Sequence, residues 1–264
     1  MATFTYEWLE RNGRLGNQLW QIAWQYGQAT KTNGSLSIKS DWEYRPFFSV
    51  PDRFFEAPKG PVADGKTLYY QELHHWDGLE YDVWNMFQPS PEAIVRQAEY
   101  LPEVNERDDT CSVHYRMGDY LNHPESFPVP SKTYYQGAME RVLDLAPDTK
   151  FFVFSDDIPA VRNMWEHDDA VYAAVLDEGN VEFVEGTARP VEVCDRIGEP
   201  TDWLDLFSMM NCDQHIIANS TFSWWGAYLA ENMHAYYPSV WWGPALAGTP
   251  WREGIPEHWT EVKV

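Results

Sequence analysis

Strand patterns that alternate with helix patterns predict an α/β protein with a parallel sheet. Three observations lead there. Phe151-Phe152-Val153-Phe154 and His215-Ile216-Ile217-Ala218 are short apolar runs, the pattern of parallel strands covered on both faces. At the start of the chain, a period-two stretch passes through a glycine turn into a stretch of helical period. Helix-start signals then follow strand patterns through the second half. Such a sheet collects its ligands at the carboxyl ends of its strands.

Taken in order, Thr3 to Trp8 alternates apolar and polar residues and reads as the first strand. Leu15, Leu19, Ile22, Ala23 and Tyr26 then repeat at helical spacing. Residues 40–66 hold Pro46, Pro51, Pro58, Gly60, Pro61 and Gly65 and read mostly as loop. Thr67 to Tyr70 is a second strand candidate. Pro91, behind Ser90, opens a helix to about Tyr100. Leu101 to Asp109 is charged, contains Pro102 and marks a domain boundary. Cys111 to Arg116 is the next strand. Ser131 caps a helix to Leu145, and Pro159 opens one behind the 151–154 run. Thr201 caps the helix that carries Trp203, Leu204, Phe207 and Met210. Ser223 caps a helix from Trp224 to Met233, and Ala235 to Tyr237 is the last strand.

The 264 residues carry 19 Lys and Arg against 41 Asp and Glu, a net charge of −22. Phosphate backbones are bound by clustered cations, so nucleic acid and anionic membranes are excluded as partners. A hydrophobic fraction of 44% and an aromatic fraction of 16% exclude a disordered acidic tail. No apolar run reaches the ~18–20 residues of a transmembrane segment. Met1 to Glu10 holds Glu7 and Glu10 and no basic stretch, so no signal peptide is expected and a cytoplasmic location is. Cys111, Cys194 and Cys212 form no CxxC and are expected as free thiols. His74-His75 has no further ligand at metal spacing, and no Asp-x-Asp occurs, so no metal is expected. Loop tryptophans (Trp42, Trp76, Trp84, Trp241, Trp242) offer faces for sugar rings, and nothing in the sequence selects among them.

Four polar clusters sit just behind predicted strands. In Gly13-Arg14-Leu15-Gly16-Asn17-Gln18, two glycines admit close backbone approach and the following helix offers free N–H groups, which suits a phosphate. The alternative is an ordinary strand–helix turn. In His114-Tyr115-Arg116-Met117-Gly118-Asp119-Tyr120, the planar fork of Arg116 suits a diphosphate. The alternative is an Arg116–Asp119 ion pair that closes a turn. In Ser155-Asp156-Asp157, a carboxylate can accept from a ribose or a guanine, or cap the helix near Pro159. In Asn219-Ser220-Thr221-Phe222-Ser223-Trp224-Trp225-Gly226, three hydroxyls form a second anion cradle or plain helix caps. Asn219-Ser220-Thr221 also fits the glycosylation pattern, discounted for want of a secretory signal.

Together these clusters resemble glycosyltransferase family 11, inverting α-1,2-fucosyltransferases that use GDP-fucose. The family's GGLGNQ-like turn is similar to Gly13–Gln18, its HxRRGDY motif to His114–Tyr120, and its FVFSDD strand to Phe152–Asp157. Its IIANSTFSWWGAWL block resembles Ile216 to Leu229, and a closing Pro-x-x-Trp stands at Pro256 to Trp259. The resemblance runs over nearly the whole chain. Met117 stands in place of the second Arg of the motif, and His74 to Phe87 departs from the family pattern.

The resemblance implies a GT-B type fold, two Rossmann-like domains with parallel sheets. Residues 1–105 would hold the acceptor side and the 13–18 loop, and residues 106–264 would bind GDP-fucose. It implies Arg116 on the β-phosphate and Asn17 toward the diphosphate and sugar as catalytic; the reaction also needs a carboxylate to take the acceptor's proton, and Asp119 is the candidate. Gly13, Gly16, Gln18, His114, Asp156, Ser220, Thr221, Phe222 and Ser223 would bind the donor. The expected partners are a nucleotide-sugar donor and a glycan acceptor, with no cofactor and no metal. Two rivals remain: a catalytically inactive carbohydrate-binding protein on the same scaffold, and fucosyl transfer to a protein Ser or Thr.

Overall fold

The computed structural model describes residues 2–6, 9, 13–64, 71–165, 181–184, 201–232 and 234–263. Two parallel sheets form. The smaller contains β1 (Thr3–Thr5), β2 (Ser35–Leu36) and β3 (Val62–Asp64), in the order β2-β1-β3. The larger contains β4 (Thr110–Tyr115), β5 (Lys150–Ser155), β6 (Val181–Phe183), β7 (Gln214–Ile216), β8 (Ala235–Pro238) and β9 (Thr260–Val262). Its order is β6-β5-β4-β7-β8-β9. Each of these strand pairings is parallel. Counted from β4, this is the 3-2-1-4-5-6 order of the doubly wound dinucleotide-binding sheet. The order reverses between β4 and β7, so the crevice for a ligand opens at the carboxyl ends of those two strands.

The apolar runs lie where continuous hydrophobicity requires. β4 is buried at every position, and Phe151 to Phe154 are at most 1% exposed. Local caps act as written in the chain. Ser90 Oγ accepts from Ala93 N (3.2 Å) at the head of the Pro91–Tyr100 helix, and Ser131 Oγ accepts from Tyr134 N (3.3 Å) at the head of Lys132–Leu145. Asp157 Oδ1 accepts from Ala160 N at 2.9 Å and so caps the Ile158–Trp165 helix.

Several local expectations are corrected. The 40–66 stretch contains β3, because β1 pairs through Thr3–Thr5 with Val62–Asp64 and satisfies their backbone groups. β2, β9 and the Glu80–Met86 helix were not anticipated; β2 and β9 are two and three residues long, too short for a periodic signal. Thr201 makes no side-chain cap, since its ψ of −9° is not the extended conformation a capping hydroxyl needs. Ser220, not Ser223, caps the next helix: extended Ser220 accepts from Phe222 N at 3.3 Å, and the helix spans Thr221–Tyr228. Ser223 bonds back to Ser220 O instead, at 3.4 Å. The expectations for Glu7–Trp8, Thr67–Tyr70, Cys194 and Met233 fall on residues outside the described ones. Cys111 and Cys212 are free and buried. Among the described residues, no helix is long and apolar enough to cross a membrane.

One aromatic core runs from the first helix, Leu15–Lys31, into the larger half. Trp20 packs 4.9 Å from Trp76, 4.5 Å from Trp224 and 5.6 Å from Trp225, centroid to centroid. Trp42 and Trp76 are fully buried in this core.

Candidate functional site

Two helix N-termini meet at the cleft, those of Leu15–Lys31 and Thr221–Tyr228. Gly16 makes the meeting possible. A Cβ there would stand 2.6 Å from Phe222 N and 2.8 Å from Thr221 C, closer than packed atoms approach. Trp225 Nε1 donates to Gly16 O at 3.0 Å and locks the two helices. Both ends carry unsatisfied N–H groups and positive dipole ends, so their junction attracts an anion.

Asn17 and Thr221 bridge the junction. Thr221 Oγ1 donates to Asn17 Oδ1 at 2.9 Å, and Gln71 Nε2 donates to the same oxygen at 3.4 Å. With Oδ1 occupied, Asn17 keeps its amide N–H groups to offer. Gly13, at φ +113°, lets the loop fold over Asn17; a Cβ there would meet Asn17 Nδ2 at 2.5 Å. Gln18 is buried under the loop. Its Nε2 donates to Gly13 O (3.3 Å) and its Oε1 accepts from Trp42 Nε1 (2.7 Å), so it holds the loop's shape from below.

The 114–120 cluster starts in the last two residues of β4 and runs on beside the junction. Arg116 contacts two carboxylates, Nη1 to Asp156 and Nη2 to Asp119, and its guanidinium lies 5.2 Å from the Tyr120 ring. The Arg116–Asp119 pair is therefore present. Asp156 Oδ1 also accepts from Met117 N at 2.8 Å, so this carboxylate clasps the loop and orients the arginine. A side chain at Gly118 would run into Asp156 Oδ2, which explains the glycine. Met117 is buried in the core beneath β4 and points no charge at the cleft.

His114 is 4% exposed, and its Nδ1 has no hydrogen-bond partner. Burial first, then the charge of Arg14, lowers its pKa to about 3, so the ring is neutral and ready to bond a neutral polar group. Phe222 lies 5.6 Å from it, ring to ring. Ser220 and Ser223 are both buried at the helix start. Asn219, 1% exposed, donates to Pro128 O (3.0 Å) and Trp241 O (2.8 Å), which removes it as a glycosylation acceptor in the fold.

Sequence reasoning missed Arg14 as a site residue. From the opposite loop it reaches Asp119 at 3.4 Å and Asp156 at 3.9 Å, placing a second guanidinium beside the Arg116 cluster. Its place inside the first motif was the available signal. Trp20 and Trp251 were also missed. With Trp241, Gln71, Thr221 and Trp224 they line a narrow recess beside Asn17, and Trp20 Nε1 is buried there without a partner. Trp241, stacked 5.6 Å from Trp251, is the loop tryptophan that lines this recess. Away from the cleft, Glu72 Oε2 lies 3.3 Å from His74 Nδ1 and 3.5 Å from His75 Nε2, a third metal-ligating side chain beside the pair that the sequence reading overlooked. The backbone of His75 sits against Gly27, three turns along the first helix from Gly16.

The fold and this junction define a GT-B type protein. The fucosyltransferase NodZ from Bradyrhizobium superposes with a TM-score of 0.52 at 14% identity, over 87% of this chain and 92% of that one. The description of family 11 glycosyl transferases matches residues 35–239, and the chain belongs to that family. An α-1,2-colitosyltransferase of Escherichia coli is 31% identical over 185 residues, 66% of this chain and 54% of its own length. A galactoside 2-α-L-fucosyltransferase of Caenorhabditis elegans is 24% identical over 192 residues, 70% of this chain and 47% of its own. The chain thus spans about half the length of these curated relatives.

Proposed function

We propose that the chain is an inverting glycosyltransferase that moves L-fucose from GDP-fucose to the 2-hydroxyl of a galactoside. The observation that carries this reading is the convergence of two helix N-termini beside Arg116, at the switch point of the larger sheet. The base and ribose would lie toward His114 and Phe222, whose unpaired Nδ1 and ring face suit a neutral heterocycle. The diphosphate would sit over the 220–223 turn and Arg116, the sugar between Asn17 and the tryptophan-lined recess. The smaller sheet's half would serve the acceptor. Gln18 and Asp156 act here as positioning residues for the loop and for Arg116.

In this reaction the C1–O bond of the donor breaks and its electron pair leaves on the β-phosphate. Arg116 and the helix N-termini stabilise that charge where it develops. The acceptor oxygen bonds C1 from the opposite face, inverting β to α. Its proton passes to Asp119, the exposed carboxylate at the cleft. With these cations in place no divalent ion is required, and EDTA leaves the rate unchanged; a strict Mn²⁺ requirement would count against the reading.

Arg116→Ala and Arg116→Lys test the central assignment. Each is expected to lose most donor turnover, by about 100-fold or more for Ala, while circular dichroism shows the fold retained. Normal turnover in folded Arg116→Ala would remove Arg116 from the phosphate site. The colitosyl relative makes colitose the second candidate sugar, so GDP-colitose belongs beside GDP-fucose in the assay. Calorimetry with GDP separates the enzyme from an inactive carbohydrate-binding protein, which would ignore the nucleotide.

A further inference from the structure

Building on the donor reading above, we propose that Arg14 is the second guanidinium of the diphosphate site, leaving Asp119 for the β-phosphate when the donor arrives. The two arginines of the cluster are held very differently. Arg116 is enclosed: its side chain is 10% exposed, and both terminal nitrogens are occupied by Asp156 and Asp119. Arg14 is 63% exposed, and its nearest carboxylate oxygen is 3.4 Å away on a 60% exposed Asp119. An exposed, long ion pair of this kind has little net strength and exchanges easily for a better anion. A phosphate offers that anion, because the guanidinium fork matches two of its oxygens.

Charge balance points the same way. Arg14, Arg116, Asp119 and Asp156 sum to zero, so while Arg14 rests on Asp119 these four side chains add little to the pull of the helix N-termini on a diphosphate. Swinging Arg14 off Asp119 leaves that sum unchanged but frees one guanidinium fork to face the phosphate, with Arg116 still held by its two carboxylates on the other wall. The direction is set by the scaffold. Arg14 comes from the smaller sheet's loop, two residues before Gly16 and three before Asn17, whose side chain binds Thr221 across the junction. It therefore meets the diphosphate from the sugar side, where the β-phosphate lies. Met117 completes the argument. It is buried in the core and brings no charge to the cleft, which leaves Arg14 as the guanidinium beside Arg116 and its carboxylates.

The test is binding of GDP and GMP by calorimetry to the wild-type chain, Arg14→Gln and Arg14→Lys, with kcat and KM for the donor. Arg14 is exposed, so the variants should melt with the wild type. Arg14→Gln is expected to weaken GDP by about tenfold or more and GMP by less than about threefold, as for loss of a charge-assisted contact to one phosphate. Arg14→Lys should recover part of the GDP affinity at low salt and lose it at high salt. Equal GDP affinity in wild type and Arg14→Gln would overturn the proposal, as would an equal loss for GMP. A wild-type chain that bound no GDP would overturn the donor reading first and this proposal with it, so the two failures are distinguishable.

Discussion

Gly16 shows how a single missing Cβ sets the geometry of the cleft. Its neighbours across the junction are backbone atoms of Thr221 and Phe222, which cannot swing aside as a side-chain tip can. Gly16→Ala therefore has to push one helix off the other. The expected loss is about 1–3 kcal/mol of stability, the usual range for overpacking, together with weaker GDP binding. Urea denaturation measures it; an unchanged midpoint would mean that the two helix starts are not in contact. Ser220→Ala tests the cap beside it, where loss of one capped N–H is expected to lower stability by about 1 kcal/mol.

At the level of the element, the Asp202–Met210 helix carries two half-buried acid groups. Asp205 accepts from Tyr100 Oη at 2.7 Å, and Asp202 accepts from Tyr44 Oη at 3.1 Å. Burial raises the Asp205 pKa to about 7, against which the Tyr100 bond acts, while the charge of Asp202 adds to the rise. The folded chain thus holds a proton here that the unfolded chain has lost. Stability from this group is complete below the unfolded carboxylate range, near pH 4, and drains away as pH rises through about 7. Asp205→Asn keeps an oxygen for Tyr100 and removes the titration. Its melting temperature relative to wild type should be more favourable at pH 8 than at pH 5. Equal differences at both pH values would show that Asp205 ionises normally in the fold.

For the whole molecule, two buried imidazoles work in the opposite sense. Burial lowers His114 to about 3 and His215 to about 4, both below the ordinary value near 6.5. The unfolded chain binds these protons first, so stability is full above about pH 6.5 and falls as pH drops toward 4 and 3. Ring resonances of both histidines should hold still between pH 8 and 5 in NMR titration. A midpoint near 6 for either would mean that its ring is open to water. The shared aromatic core makes a second claim at this scale. Trp20 of the first helix packs on Trp224 and Trp225 of the larger half, so unfolding either half strips the other. Tryptophan fluorescence and circular dichroism should report one coincident transition; two separated ones would refute a common core.

Part of this architecture is readable along the chain, and part is not. The Phe151–Phe154 strand, the Ser90 and Ser131 caps and the Leu15–Lys31 helix are legible because apolar period and capping are properties of neighbours in sequence. Ser223 reads as the cap because it stands directly before Trp224, whereas Ser220 stands before Thr221, and only the backbone conformation identifies Ser220 as the cap. β2 and β3 escaped because strands of two and three residues exist only through their pairing with β1.

The four motif loops could be found in amino-acid order alone, and so could the parallel α/β character that sends such loops to one edge of a sheet. Which side chains then touch was a matter for three-dimensional packing. Asn17 and Thr221 bond across 204 positions, and Arg14 finds Asp119 across 105. No local pattern encodes such meetings. They arise because a shared tryptophan core presses two helices together at a glycine, and the loops at their heads are carried into one cleft.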